Sequence, residues 1–418
     1  MSESLYWTWL SLKLGAASPY LNTLLLKYST PKDIFDASVS EIRSIEKIPE
    51  SVKTRLCDKE LDRSQRIMEK CKALGIGIMT YNDPRYPRIL KYIDKPPAVL
   101  YFKGRPVDFD RRFCVSVVGT RKMSDYGRDM AYKFAYDLAS AGSVIVSGMA
   151  LGCDGMSAAG ALDAQAQTVA VLGGGVDVIY PREHRKLYDA ILKDGLVISE
   201  YPPGTEADSS HFPQRNRIIS GLSRCTLVVE SPEKSGAHIT ARASLDQGRP
   251  VFAVPGAIGM ENSVGANNLI KQGARMATSA FDIIDAFESA SFEGLDGSAI
   301  GDMNYDSKKA ANRYGVASRK HDKRIVKIGG AKSGDAENTE PAALLGMEKE
   351  QSEKKQVFVA MSPAEKCVYD AIPDEGEASL ELIIAATGQS VSDVTMHLLS
   401  LGLKKAIVDL PGGRYRRT

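Results

Sequence analysis

A chain of 418 residues is long enough for two to four domains and at least one sizeable core, which excludes a small scaffold held together by disulfides. Its hydrophobic fraction of 43% and charged fraction of 25% are those of an ordinary globular protein, and a net charge of only +2 excludes a protein that coats nucleic acid by global attraction. Its six cysteines (57, 71, 114, 153, 225 and 367) form no CxxC pair and no Cys/His cluster at metal-ligand spacing, so the reduced thiols of a cytoplasm are expected and a metal site is not.

In chain order, residues 1–90 read as a helical module. Apolar positions recur through Leu5 to Leu14, Leu21 to Leu26 and Ile34 to Ile48, and a charged helix follows from Asp58 to Leu74. The opening MSESLYWTWLSLKLGAA carries no basic leader, and no run of about 18 apolar residues occurs anywhere, so the chain reads as cytosolic, unprocessed and without a membrane partner. IGIMTY (76–81) is an expected strand. NDPRYP and DKPPAVLYFKGRP are Pro-punctuated extended segments that lead into a core over 91–288.

In that core, short apolar runs alternate with helical stretches. CVSVVG (114–119), SVIVSG (143–148), TVAVLGGG (168–175), LVISE (196–200), CTLVVE (225–230) and PVFAVPG (250–256) suit strands buried on both faces, with the helices as right-handed crossovers. The expected fold class is α/β, with a doubly wound, mainly parallel sheet. The helix after the first strand has Ser124 as N-cap, Met130, Phe134 and Leu138 along one face, and Gly142 at its end. Composition then turns to Ser, Gly, Asp, Glu and Lys, so 289–356 is expected to be a flexible charged linker. Within it, residues 308–332 carry nine basic residues against the single acid Asp322. At the C-terminus, 357–418, helices over 362–372, 379–388 and 390–403 precede two strands around a Pro-Gly-Gly turn, a winged-helix pattern.

Four glycine-rich segments fall just beyond expected strands, where doubly wound sheets bind ligands: GTRK (119–122), SGMALGCDG (147–155), LGGGVDVIYP (172–181) and SPEKSGAHIT (231–240). Each is either a tight strand-to-helix turn or part of a phosphate-binding rim. Four at matching strand ends favour the rim, with Arg121 placed to add a bidentate contact. SSHFPQRNRIISGL (209–222) sets Phe212, Arg215, Asn216 and Arg217 just ahead of an apolar helical segment. Two arginines that fork onto phosphates, an amide that reads a polar edge and a ring that stacks on a base suit a polyanion with bases. The alternative is a capped helix start with Phe212 in the core. Lysine and arginine balance aspartate and glutamate at 18 against 18 from Arg111 to Phe287, so any anion site there is built by local placement. No GxGxxG opens a helix, and no GxxxxGK[ST], HExxH or GxSxG occurs. Asp154, Asp177, Glu200 and Glu230 lie at strand ends, where carboxylates cap helices or pair with arginines more often than they do acid–base work. No catalytic residue and no cofactor are assigned.

GTRKMSDYG, VSGMALGCDG, AVLGGGVDVIYP, SEYPPG, HFPQRNRIISGLS, KSGAHITARASLDQGRPVFAVPG and VGANNLIKQGA stand in the order and wording of DNA-processing protein A, the DprA/Smf family. Residues 1–290 and 360–418 resemble that family. The resemblance implies an extended Rossmann-like core that binds single-stranded DNA, forms homodimers and passes the strand to RecA recombinase in natural transformation. Carried over by position, it implies DNA contacts at Arg121, Ser147, Gly148, Gly173, Gly174, Tyr180, Arg182, Phe212, Arg215, Asn216, Arg217, Ser235 and Gly236. Two positions depart from the family's pattern: Ser209 stands where members often have a basic residue, and Ala158 where they often have a histidine. Two other readings stand beside this one. Related Rossmann-like enzymes cleave nucleotides to release a base through a PGGxGTxxE signature, whereas KSGAHITA offers no carboxylate. A winged-helix regulator would need a basic recognition helix, and 391–400 has no Lys or Arg.

Overall fold

The computed structural model describes residues 2–287, 290–301, 305–319, 361–374, 376–404, 406–410 and 414–417. The apolar runs of the central segment form parallel strands whose alternate residues face opposite layers. In β4 (Val144–Ser147), Val144 and Val146 pack with one hydrophobic cluster and Ile145 with another, as a strand buried on both sides requires. With β1 (Gly77–Thr80), β2 (Val99–Gly104), β3 (Cys114–Val118), β5 (Thr168–Val171), β6 (Leu196–Ser199), β7 (Cys225–Val228), β8 (Val251–Ala253) and β9 (Arg275–Met276), it makes a nine-stranded sheet of order β1-β2-β6-β5-β4-β3-β7-β8-β9. From β6 to β9 every pairing is parallel, while β2 runs antiparallel to both β6 and β1. The chain steps outward from β3 to β6, then returns to lay β7 on the other side of β3. The switch point of this doubly wound sheet is therefore the crevice between β3 and β7.

Six helices precede the sheet: α1 (Glu3–Leu14), α2 (Leu21–Lys27), α3 (Pro31–Asp36), α4 (Val39–Arg43), α5 (Glu50–Cys57) and α6 (Asp62–Leu74). Their core of Trp7, Trp9, Leu24 and Ile34 is continuous with Val99, Tyr101 and Met149 of the sheet layer. The expected boundary at residue 90 moves forward. β1 joins the large sheet through β2, and Tyr86 and Leu90, the latter in the short helix α7 (Arg88–Lys91), are buried in the sheet's main cluster. The segment around 99–104 forms β2, a strand masked in sequence by its flanking prolines.

Helices α8 (Asp125–Ser140) and α9 (Cys153–Asp163) cover one face, and α10 (Arg185–Asp194) packs beside them. Ser124 caps α8 by accepting the Gly127 N–H, and Gly142 follows its end with φ +90°. The other face is covered by α11 (His211–Gly221), α12 (Gly236–Asp246) and α13 (Glu261–Lys271). After α14 (Phe281–Ile284), the chain does not become a flexible linker at 289 as expected. Phe287 and Phe292 pack on Phe113 at 5.0 and 4.9 Å, and α15 (Ser307–Tyr314) buries Ala310 while Lys308, Lys309 and Arg313 stay exposed. Isolated apolar residues in a charged stretch supply this packing, too sparsely to register as a periodicity. Residues 320–356 of the expected linker lie outside the described residues.

At the C-terminus, α16 (Pro363–Asp370), α17 (Leu380–Thr387) and α18 (Val391–Leu403) pack with an antiparallel sheet of order β10-β12-β11, formed by β10 (Ala378–Ser379), β11 (Ile407–Leu410) and β12 (Arg414–Arg417). The Pro-Gly-Gly turn at 411–413 lies outside the described residues. This unit docks on the core: Leu399 joins the main cluster, and Lys404 bridges the buried Glu365 at 2.7 Å and Asp246 of α12 at 3.1 Å.

Candidate nucleic-acid interface

At the β3/β7 switch point a groove of about 1030 Å³ runs from Gly119–Lys122, just past β3, to Ser235–Thr240 at the start of α12. Phe212, Arg215 and Asn216 of α11 form one flank. The helix begins at His211, so the FPQRNR motif lies within it rather than ahead of it, and helical geometry sorts its residues. Positions 212, 215 and 216 stand three and four apart and share a face. Arg215 and Arg217 stand two apart and cannot.

That spacing corrects the pairing of the two arginines. Arg217 points away from the groove and bonds Glu200 at 2.5 Å, both side chains nearly buried, while Glu200 also accepts the Ala17 N–H from the N-terminal module. Arg215 is 4% exposed and donates to the carbonyls of Gly148, at 2.8 Å, and Val171. Burial pulls its guanidinium down to about 10 and pushes the nearby Asp154 carboxyl up. Arg215 is therefore a strut between the ends of β4 and β5 whose edge reaches the groove.

Phe212 is the centre of the site. Tyr180 stacks on it at 5.5 Å and 26°, the Arg121 guanidinium lies 4.8 Å over its ring, and that of Arg215 lies 5.9 Å away. Beneath the ring, a cavity of about 20 Å³ is lined by Gly148, Gly173 and Gly174, room for about one water. The glycines make space for the protein itself. A Cβ at Gly173 would meet the Phe212 ring at 2.9 Å, one at Gly148 the Arg215 guanidinium at 2.4 Å, and one at Gly174 the Thr205 carbonyl at 2.9 Å. Gly236, with nothing within 4 Å, leaves its backbone open to the groove, and Ser235 caps α12 beside it. Two expected contacts stand elsewhere: Ser147 is buried and donates to the Val117 carbonyl at 2.7 Å, and the exposed Arg182 starts a single 3-10 turn outside the lining.

Two lining cations, Lys122 and Lys234, are not named as candidates from the sequence although they sit inside two of the glycine-rich segments. A third, Arg319, belongs to the basic run over 308–332, which reads either as an arm that touches a bound strand or as a solubilising spacer. The strand-end carboxylates are engaged structurally: Glu230 holds Ser124 at the start of α8, Asp177 accepts the Gly204 N–H at 2.7 Å and pairs with Lys70 at 3.3 Å, Asp154 accepts the Gly148 N–H, and Glu200 pairs with Arg217. Among the described residues no group of three or more His, Cys, Asp and Glu is arranged to hold a metal, and no helix is long and apolar enough to cross a membrane.

A doubly wound sheet that gathers an aromatic ring, a guanidinium and open backbone at its switch point defines a Rossmann-like core with a groove lined by more cations than carboxylates. Residues 77–288 match the family model of DNA recombination-mediator protein A, and the chain belongs to that family, DprA/Smf. It is 30% identical over 423 residues to Protein Smf of Synechocystis sp., covering 100% of this chain and 99% of the relative. It is 42% identical over 220 residues to DNA processing protein DprA of Bacillus subtilis, 53% of this chain and 74% of that one. The X-ray structure of DNA processing protein A from Streptococcus pneumoniae is similar with a TM-score of 0.60 at 31% identity, covering 68% of this chain and 98% of that structure. The family named from the sequence motifs and the α/β fold class are both borne out.

Proposed function

We propose that the groove binds single-stranded DNA and that the protein, without turnover, protects the strand and loads RecA recombinase onto it in DNA uptake and natural transformation, acting as a cytoplasmic homodimer. The observation that carries this reading is the Phe212–Arg121 pair, ring and guanidinium 4.8 Å apart at a groove bounded by open backbone. A ring offers a stacking face that every base can use, and a guanidinium forks onto the neighbouring phosphate. The core's balance of 18 basic against 18 acidic residues supplies no broad basic face for a duplex, while splayed bases fit a groove. RecA and a second copy of the chain are partners inferred from family membership. We read the C-terminal unit as a winged helix used for protein contact, since residues 391–400 hold no Lys or Arg and α18 lies against α12.

The test is an anisotropy titration with one oligonucleotide, single-stranded and annealed, at moderate salt, beside an assay for base release from nucleoside monophosphates. The expected result is clear preference for the single strand and no free base. Equal affinity for both forms refutes the reading, and released base replaces it with the enzyme reading.

A further inference from the structure

We infer that Arg319, carried by a strap beyond the family core, is a second anion-binding arginine of the groove, acting beside Arg121. The inference rests on the single-strand reading above. The family match ends at 288, and the strap begins with α15, so this contact is an addition to the shared core.

The strap is seated at successive points. Arg313 and Tyr314 both bond Asp163 of α9, the tyrosine at 2.8 Å. Gly315, with φ +64°, turns the chain, and Val316 enters the apolar layer. Ala317 then bonds in both directions: its N–H donates to His184 Nε2 at 3.0 Å, and its carbonyl accepts the Gly152 N–H at 2.8 Å. The Arg319 N–H donates to the Arg121 carbonyl at 2.9 Å, and the Ser318 hydroxyl reaches the same oxygen at 3.2 Å. The core is shaped for this path. A Cβ at Gly155 would meet His184 at 2.7 Å and Val316 at 3.0 Å, so a larger residue there would crowd both the histidine and the strap.

The seating brings the backbones of residues 121 and 319 together at the groove rim. The Arg319 side chain is exposed and lines both the groove and the small cavity under Phe212. Arg128 and Arg313 are each paired with aspartates, but no carboxylate of the described residues lies within ion-pair range of Arg319. Without Arg319 the groove lining holds four cations against three carboxylates, a thin margin for a polyanion. A fifth guanidinium or ammonium fixed at the rim raises that margin where phosphates of a strand held at Phe212 would pass.

The test uses the full chain and a labelled oligothymidylate of about ten nucleotides, within single-strand site sizes of about 4–16. Arg319→Ala is expected to weaken binding about three- to five-fold at low salt and to lower the salt slope by about 0.7, the share of one neutralised phosphate. Ala317→Pro, which deletes the N–H that donates to His184, is expected to weaken binding by as much, with no further loss in the double variant. If Arg121→Ala weakens binding and Arg319→Ala does not, the inference is overturned and the proposed function stands. If neither changes affinity, both fall. If Arg319→Ala weakens binding while Ala317→Pro leaves it intact, Arg319 acts as part of an unseated arm and the strap model is overturned.

Discussion

Replacing Phe212 with alanine isolates what the aromatic ring does. The ring is half-buried, and its neighbours are Tyr180 at 5.5 Å, Arg121 at 4.8 Å and the backbone of Gly173. A base stacked on an aromatic ring is worth about 1–3 kcal/mol. The cation–π contact that holds Arg121 over the ring is already made before a strand binds and so adds nothing to this figure. The expected loss is therefore about 1–3 kcal/mol, roughly a 5- to 150-fold rise in Kd. Phe212→Leu keeps apolar volume over Gly173 but has no π face, so it should fall close to the alanine variant. The assay is anisotropy with a short oligothymidylate at fixed salt, and thermal melts establish that both variants remain folded. A folded Phe212→Ala protein with unchanged affinity refutes base stacking at this ring. A Phe212→Leu protein that binds like the parent would mean that packing, not stacking, is what the ring supplies.

Arg121→Ala should weaken single-strand binding for every sequence and flatten the salt slope by roughly 0.7 for each phosphate that the side chain no longer neutralises, read from titrations across a salt series. Glu200→Gln should destabilise the fold by about 3 kcal/mol, because it leaves the nearly buried Arg217 guanidinium unpaired; urea unfolding measures this, and a shift below about 0.5 kcal/mol would contradict the buried pair. His184 predicts a pH dependence. Burial pulls its imidazole below the ordinary 6.5, so on acidification the unfolded chain takes up a proton before the folded one does. The stability it supports is complete above about pH 6.5 and declines as pH falls through 6.5 toward the folded value. Urea midpoints measured across that window should lose part of their slope in His184→Gln; His238, also pulled down by burial, leaves a residue of the same sign.

The sheet was legible because parallel strands buried on both faces leave apolar runs, and six such runs became β3 to β8 with little shift in bounds. β2 was not, since Pro97 and Arg105-Pro106 frame it with turn signals although Leu100 and Tyr101 are fully buried. The two-residue β9 was too short to leave a pattern. In the groove, Phe212, Arg121, Asn216 and the α12 start were legible from residue type, because ring, guanidinium and small N-cap have few other uses at strand ends. The division between Arg215 and Arg217 was not. It depends on where α11 begins, and a boundary displaced by a residue or two leaves the facing of every later side chain open.

That division changes how the motif works. A guanidinium drawn from water must find partners, and Arg215 finds them in the carbonyls of Gly148 and Val171, with the Asp154 carboxylate close by to balance the charge. The two carbonyls belong to neighbouring strand ends, so one side chain locks the β4 and β5 turns to α11, and with them Gly173 and the Phe212 ring that fills the space above it. Arg217 locks the same helix to Glu200 beyond β6 and, through that carboxylate, to Ala17 of the N-terminal module. The helix thus uses its arginines for position. The unburied charge at the groove is left to Arg121, Lys122, Lys234 and Arg319, which stand on turns and on the strap where backbone geometry does not bury them. A motif with two arginines, read as a string, promises two phosphate contacts. Built on a helix, it instead fixes one ring, one amide and the edge of one buried guanidinium at a groove whose other cations come from elsewhere in the chain.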